Sequence, residues 1–176
     1  MDGLNGPDAA ASRLAAAGWR LPAPPVPRGA YAPYHLASLH GATLVCVSGQ
    51  ASRRDGMPIV GVCRPGADLA MARTACAQAA LGALSALRLA CAGDLGRIRA
   101  ILQLRGYLRS EADFEEHSAV LDGASQVLEA AFPHMPRPAR SAIGVTSLPG
   151  RCWAEIEISA LLEDCTLPRE AGAAKE

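Results

Sequence analysis

Arg140-Ser-Ala-Ile-Gly144-Val-Thr-Ser-Leu148-Pro149-Gly150-Arg151-Cys-Trp-Ala-Glu155-Ile-Glu157 contains two runs of alternating small or branched apolar residues on either side of Leu-Pro-Gly-Arg. A period of two on both sides of a turn sequence predicts two strands joined as a hairpin. Successive strand residues point to opposite faces of a sheet, so Cys152, Ala154, Ile156, Ile158 and Ala160 share one face and Glu155 and Glu157 the other. The simplest register pairs Ser147 with Cys152. It places Arg140, Gly144, Glu155 and Ser159 together, with Ile143 and Val145 on the apolar side. An arginine and two carboxylates are thus expected on one sheet face, Arg140 and Glu155 about 13 Å apart along the ladder at 3.3 Å per residue, with room for a ligand between them.

Upstream of this stretch, Ser110 and Asp113 resemble a capping box opening a helix with Phe114, Leu121, Leu128 and Phe132 on its apolar face, ended by Pro133, Pro136 and Pro138. Before it, Ile98, Ala100, Leu102, Leu104, Gly106 and Leu108 alternate with Arg99, Gln103, Arg105 and Tyr107, the pattern of a half-buried strand. A longer helix is expected between Asp68 as N-cap and Gly93 as stop, with Leu69, Ala72, Cys76, Ala80, Ala83, Leu87 and Ala90 on its apolar stripe. Its small residues permit close approach to a sheet. Leu44 to Ser48 is apolar on both faces and reads as a central strand running into Gly49-Gln50; His35 to Leu39 precedes it around His40-Gly41.

The order of strands, helix, strand, helix and hairpin predicts an α+β domain with two helices packed on one face of a mixed sheet. Residues 1–28 form an N-terminal arm, with a short Ala-rich helix over Ala9 to Ala17 and an extended Leu21-Pro22-Ala23-Pro24-Pro25-Val26-Pro27 segment. Residues 29–164 form the domain, and the polar tail 165–176 is expected to be disordered. Charged groups on the second sheet face require cover or pairing, which predicts self-association with wet clefts between subunits.

With 176 residues, 50% hydrophobic, 19% charged and only 4% aromatic, the chain supports one core built from Ala, Leu, Val and Ile. Formal net charge is +0 and Lys175 is the single lysine, which argues against a phosphate-binding field for nucleic acid. The six cysteines are scattered without a C-x-x-C or clustered histidines, so neither a metal site nor a disulfide framework is signalled. Cys46 and Cys152 read as inert core thiols, His117 as a helix residue, and His35, His40 and His134 share no spacing. The chain shows no secretory signal and no uninterrupted apolar run of membrane-spanning length, which predicts a cytoplasmic protein.

Gly29-x-Tyr31-x-Pro33-Tyr34, Val47-Ser48-Gly49-Gln50, the helix ending Ala92-Gly93-Asp94-Leu95, and Pro138-Ala139-Arg140-Ser141-Ala142 through Leu148-Pro149 to Glu155-Ile156-Glu157 together resemble the RidA/YjgF family, with a longer N-terminal arm than its well-characterised members. The resemblance implies a chorismate-mutase-like fold assembled as a homotrimer with intersubunit clefts. It implies hydrolysis of reactive 2-enamino and 2-imino acids to 2-keto acids and ammonia, without metal or organic cofactor. The activity is that of a 2-iminobutanoate/2-iminopropanoate deaminase. Arg140 then matches the arginine holding the substrate carboxylate, and a guanidinium fork suits that task. Glu155 matches the glutamate that positions the attacking water. Gly49 and Ala142 match positions acting through the backbone, Ser48 a pocket hydroxyl and Tyr34 a pocket aromatic. Ser118 stands where the enamine-hydrolysing members carry asparagine. That departure supports an alternative reading, a non-catalytic trimer binding small carboxylates; a third is endoribonuclease, a label attached to some relatives.

Overall fold

The computed structural model describes residues 8–163. In chain order its elements are α1 (Ala9–Ala16), β1 (Tyr34–Leu39), β2 (Ala42–Ala51), the two-residue strands β3 (Arg53–Arg54) and β4 (Met57–Pro58), α2 (Ala70–Ala90), β5 (Ile98–Arg109), α3 (His117–Ala131), β6 (Ala139–Val145) and β7 (Ala154–Glu163), with short 3-10 turns at Leu95–Arg97 and Pro149–Arg151. Five strands form one sheet in the order β1-β2-β7-β5-β6; every neighbouring pair is antiparallel except β5 and β6. α2 and α3 cover one face, the mixed α+β arrangement expected from the order of patterns. The expected tail from residue 165 lies outside the described residues.

The β6–β7 hairpin does not form. β5 lies between the two strands, parallel to β6 and antiparallel to β7. Alternation reports that two segments are extended and oppositely directed, and both statements hold; it carries no information about a strand contributed from elsewhere. The linking residues turn through Gly150 (φ 63°) and Arg151 (φ 57°) and cross the end of β5, roughly two strand spacings of about 4.8 Å each. Cys152, instead of pairing with Ser147, bridges to Val60.

The face assignment changes with it. Arg140 is in register with Leu104, which is buried and aligned with Ile158. Arg140, Ala142 and Gly144 therefore face α3. Glu155 aligns with Tyr107 and Glu157 with Arg105 on the opposite, open face. Ile143, expected on the apolar side, shares that open face and is 40% exposed.

The helix stripes place the core. Ala72, Cys76, Ala79, Ala80, Ala83, Leu84 and Leu87 of α2 are buried, as are Val120, Leu121, Ala124, Val127 and Leu128 of α3. Small side chains let the helices approach closely: a Cβ on Gly123 of α3 would collide with the backbone carbonyl of Arg73 in α2, and Arg73 Nε donates to Ala119 O at 2.8 Å. α3 starts seven residues beyond Ser110, whose backbone still donates to Val145 O in the sheet. The expected capping box fails because strand pairing holds Ser110 extended. Asp68 does accept from the Ala70 amide at 3.0 Å, but from two residues before the helix, the N-cap position expected for it being taken by Leu69.

The segment from Asp8 to Pro22 is tied to this core. Ala10 and Leu14 are fully buried, Arg13 Nε donates to Ala131 O, Arg88 pairs with Asp8 at 2.6 Å, and Ser85 Oγ donates to Pro22 O. Of the described cysteines, Cys63, Cys76, Cys91 and Cys152 are buried free thiols; burial pushes Cys91 up to about 11 and raises Cys63 and Cys76. Cys46 departs from the core reading. It lies exposed on the open face beside Ser159, because its register opposite Ser159 points it away from the helices.

α2 ends in a Schellman motif, with Gly93 N–H donating to Arg88 O and Ala92 N–H to Leu89 O, and Ala92 (φ 54°) takes the left-handed turn position ahead of Gly93 (φ 95°). Ala92→Gly should relieve that strain and stabilise the fold by about 0.5–1 kcal/mol in chemical denaturation. Gly123→Ala should do the reverse, because separating two helices at a backbone contact costs about 1–3 kcal/mol against a helix-propensity gain of about 1 kcal/mol; a lower urea midpoint at unchanged slope is the expected readout.

Candidate functional site

The candidate residues fall into two groups on opposite faces of the sheet. Ser48, Gly49 and Glu155 lie on the open face, where β1, β2 and β7 meet, while Tyr34, in register with the buried Val47, packs partly against the core at the edge of the sheet. Between Val47, paired with Ile158, and Gln50, paired with Ile156, the two residues Ser48 and Gly49 oppose Glu157 alone, a β-bulge. The bulge frees Ser48 from the β7 ladder: its amide donates to Pro33 O at 3.0 Å and its hydroxyl to Ala32 O at 2.7 Å, tying the segment before β1 to the sheet.

Glu155 sits directly against Gly49, where any Cβ would collide with its carboxyl. Glycine at this position is a condition for the carboxylate to occupy the site. Burial raises the proton affinity of Glu155 above the usual carboxyl value, and the charge of Glu157 adds to it. Glu157 itself accepts from Tyr107 Oη at 3.2 Å and has Arg105 Nη1 at 3.7 Å. A carboxyl with raised proton affinity beside a charged neighbour is suited to exchange a proton with a bound water or an amine.

The cleft over Glu155, about 900 Å³, is walled by the sequence's proline-rich segment: Pro24, Pro25, Val26, Pro27 and Arg28 line it together with Ser48, Gly49 and Glu155. The arm thus contributes to the cleft, which its composition alone did not indicate. A neighbouring hollow of about 420 Å³ holds Tyr34, Ser48, Arg105 and Glu157.

Arg140, Ser118 and Ala142 lie on the other side, between β6 and α3. Arg140 Nη1 donates to Asp122 Oδ1 at 2.6 Å and to Ser125 Oγ at 3.0 Å, and Nη2 donates to Ser118 Oγ at 2.7 Å. Ala142, two residues on, packs on the core opposite Gly106. Ser118 therefore acts on Arg140. Sequence reasoning passed over Asp122 and Ser125 as partners. Their signal was present, since Ser118, Asp122 and Ser125 recur at i, i+4 and i+7 and must form one stripe of a helix.

His117 is half-buried at the start of α3, edge-on to Phe114, with Nε2 3.3 Å from Ser110 Oγ. Among the described residues no group of three or more His, Cys, Asp or Glu side chains is arranged to hold a metal ion, and no helix is long and apolar enough to cross a membrane.

The sequence profile of the family described as "YjgF/chorismate mutase-like, putative endoribonuclease" matches residues 11–155. Protein TCP17 of Trypanosoma cruzi is 33% identical over 159 residues, 87% of this chain and 92% of its own. Among solved structures, Atu1372 from Agrobacterium tumefaciens, described as of unknown function, superposes with a TM-score of 0.78 at 29% identity, covering 88% of this chain and 92% of that one. A Shewanella oneidensis protein described as "a putative endoribonuclease" superposes with a TM-score of 0.78 at 30% identity, covering 87% and 99%. The YjgF gene product of E. coli shares the fold at 21% identity and a TM-score of 0.50, covering 78% and 91%.

A carboxyl whose proton affinity is raised by folding favours the native state below its unfolded half-titration, near 4.3, and that stability is lost as pH rises through the folded value. Glu155→Gln should therefore melt higher than the parent at about pH 8 and nearly equal to it at about pH 4. An equal offset at both pH values would show that Glu155 is not desolvated.

Proposed function

The chain belongs to the YjgF/chorismate mutase-like family, also called RidA/YjgF, and on that premise we propose that it is a hydrolytic deaminase converting reactive 2-imino or 2-enamino acids to 2-keto acids and ammonia, at a site completed between copies of the chain. The observation carrying this reading is Glu155: a partly buried carboxyl of raised proton affinity, seated against Gly49 at the wall of a cleft. Arg140 faces the other side of the same sheet, so one chain does not bring the two together. In a homotrimer, the Arg140 edge of one chain would meet the Glu155 face of the next. The open face, which carries no helix layer among the described residues, is the surface such an assembly would cover.

In the proposed reaction Arg140 holds the carboxylate and water held by Glu155 and main-chain groups near Gly49 and Ala142 attacks the imine carbon. The water's proton passes to Glu155 and from there to nitrogen, giving a carbinolamine; collapse of its C–N bond, with the hydroxyl proton transferred to nitrogen, releases ammonia and the keto acid. Tyr34 and Ser48 shape the pocket. No metal or organic cofactor enters the scheme.

The rival is a trimer that binds small carboxylates without turnover. It draws support from Ser118, which donates no side-chain amide and is engaged by Arg140. An endoribonuclease reading, the word attached to the Shewanella relative, has against it the formal net charge of +0.

2-Aminoacrylate generated by a dehydratase should yield keto acid faster in the presence of the protein. Arg140→Ala should lower kcat/KM about 10- to 100-fold, and Glu155→Gln about 100-fold or more. Co-expression of these two variants should restore part of the activity, because mixed trimers contain some clefts with both parental residues. No acceleration over buffer removes the deaminase reading; variants that remain inactive when mixed remove the shared site.

A further inference from the structure

Arg140, assigned above to the substrate carboxylate, already meets a carboxylate of its own chain. Three of its five N–H donors are engaged by Asp122, Ser125 and Ser118. The Nε–H and one Nη2–H have no partner among the described residues. On the aspartate, Oδ1 takes the guanidinium while Oδ2 has no hydrogen-bond partner among the described residues, and the side chain is 48% exposed. Arg140, Asp122 and Ser125 line one cleft of about 480 Å³, whose apolar wall includes Ile101, Leu128 and Phe132. The cleft is therefore dipolar, with two free donors on the cation, one free acceptor oxygen on the anion, and an apolar surface beside them.

A simple monocarboxylate gains little from such a pair, because the attraction of Arg140 is opposed by the charge of Asp122 next to it. A ligand with a carboxylate and a protonated nitrogen on the same carbon satisfies both groups: its carboxylate takes the free Nε–H and Nη2–H, and its N–H donates to Oδ2. A protonated 2-imino acid has this charge pattern, as does a 2-amino acid. A 2-keto acid lacks it.

We propose that Asp122 is the specificity-determining residue of the Arg140 site, making it select zwitterionic imino or amino acids over plain carboxylates. The inference rests on Arg140 as the carboxylate-holding residue. It also gives product release a physical cause: when the nitrogen leaves as ammonia, the ligand loses its contact with Asp122, whose charge then opposes the hold of Arg140 on the remaining carboxylate. Ser118 and Ser125 share the guanidinium with the aspartate and so fix its position on α3.

The test is equilibrium binding, independent of turnover. The intact protein and its Asp122→Asn variant, which keeps the shape and removes the charge, are titrated calorimetrically at neutral pH with 2-aminobutyrate as the zwitterion and 2-ketobutyrate as the monoanion. The parent should prefer 2-aminobutyrate; the variant should bind it about tenfold more weakly and 2-ketobutyrate about tenfold more tightly. Asp122→Ser, with its melting temperature measured in parallel, should shift preference the same way. Tightening of both ligands in Asp122→Asn would make the aspartate a mere competitor for Arg140 and overturn the proposal, as would an unchanged preference or failure of the parent to bind either ligand. A parent that prefers the zwitterion yet releases no keto acid from 2-aminoacrylate would sink the deaminase reading and leave this one standing.

Discussion

The parallel pairing of β5 with β6 is the constraint from which the site follows. Parallel neighbours need a long crossover, and α3 supplies it, packing on the side chains that β6 turns inward. Gln103↔Ala139 through Arg109↔Val145 fixes the register, and through it Leu104 fixes the side of Arg140. A slip of one residue would turn Arg140 to the open face and bury Ser141 in its place. The helix then completes the arrangement, because its own contact with α2 at Gly123 holds the Ser118, Asp122, Ser125 stripe over the arginine.

Two kinds of electrostatic environment result. On the helix side the arginine is partnered and its charge offset before any ligand arrives; an ion pair about half exposed stabilises the fold by little, so its significance lies in what it presents to the cleft. On the open side Glu155 is desolvated by burial, packed against the main chain at Gly49, and the charge of Glu157 adds to the effect, which favours its protonated form. The β-bulge at Ser48 and Gly49 links these consequences to the backbone. An extra residue in β2 brings the main chain against Glu155 and anchors the segment that leads to the proline-rich wall.

Much of this was legible in the chain. Leu44 to Ser48 and Ile98 to Leu108 declared their strands by branched apolar pattern, and the Ala-rich stripe from Leu69 to Ala90 declared a helix made for close packing. The start of α3 was misplaced because a Ser-x-x-Asp sequence has no means of showing that its serine is held in a sheet by Val145. The supposed hairpin failed for a related reason: Leu148-Pro149-Gly150-Arg151 is a turn, but the strand crossing beneath it comes from forty residues earlier. The candidate residues were picked by motif, whereas their partners, Asp122 for Arg140 and Gly49 for Glu155, are neighbours in space.

What the sequence determined by itself was local: which segments are extended or helical, which residue types could hold a carboxylate or move a proton, and which family the motifs resemble. These depend on side-chain periodicity, turn chemistry and functional groups, all written along the chain. Tertiary structure alone decided that Arg140 and Glu155 look out from opposite faces, that an aspartate neutralises the arginine, and that the arm walls the Glu155 cleft. Each of those depends on strand order and register, and sheet pairing is set by the burial of the whole apolar surface rather than by any single stretch.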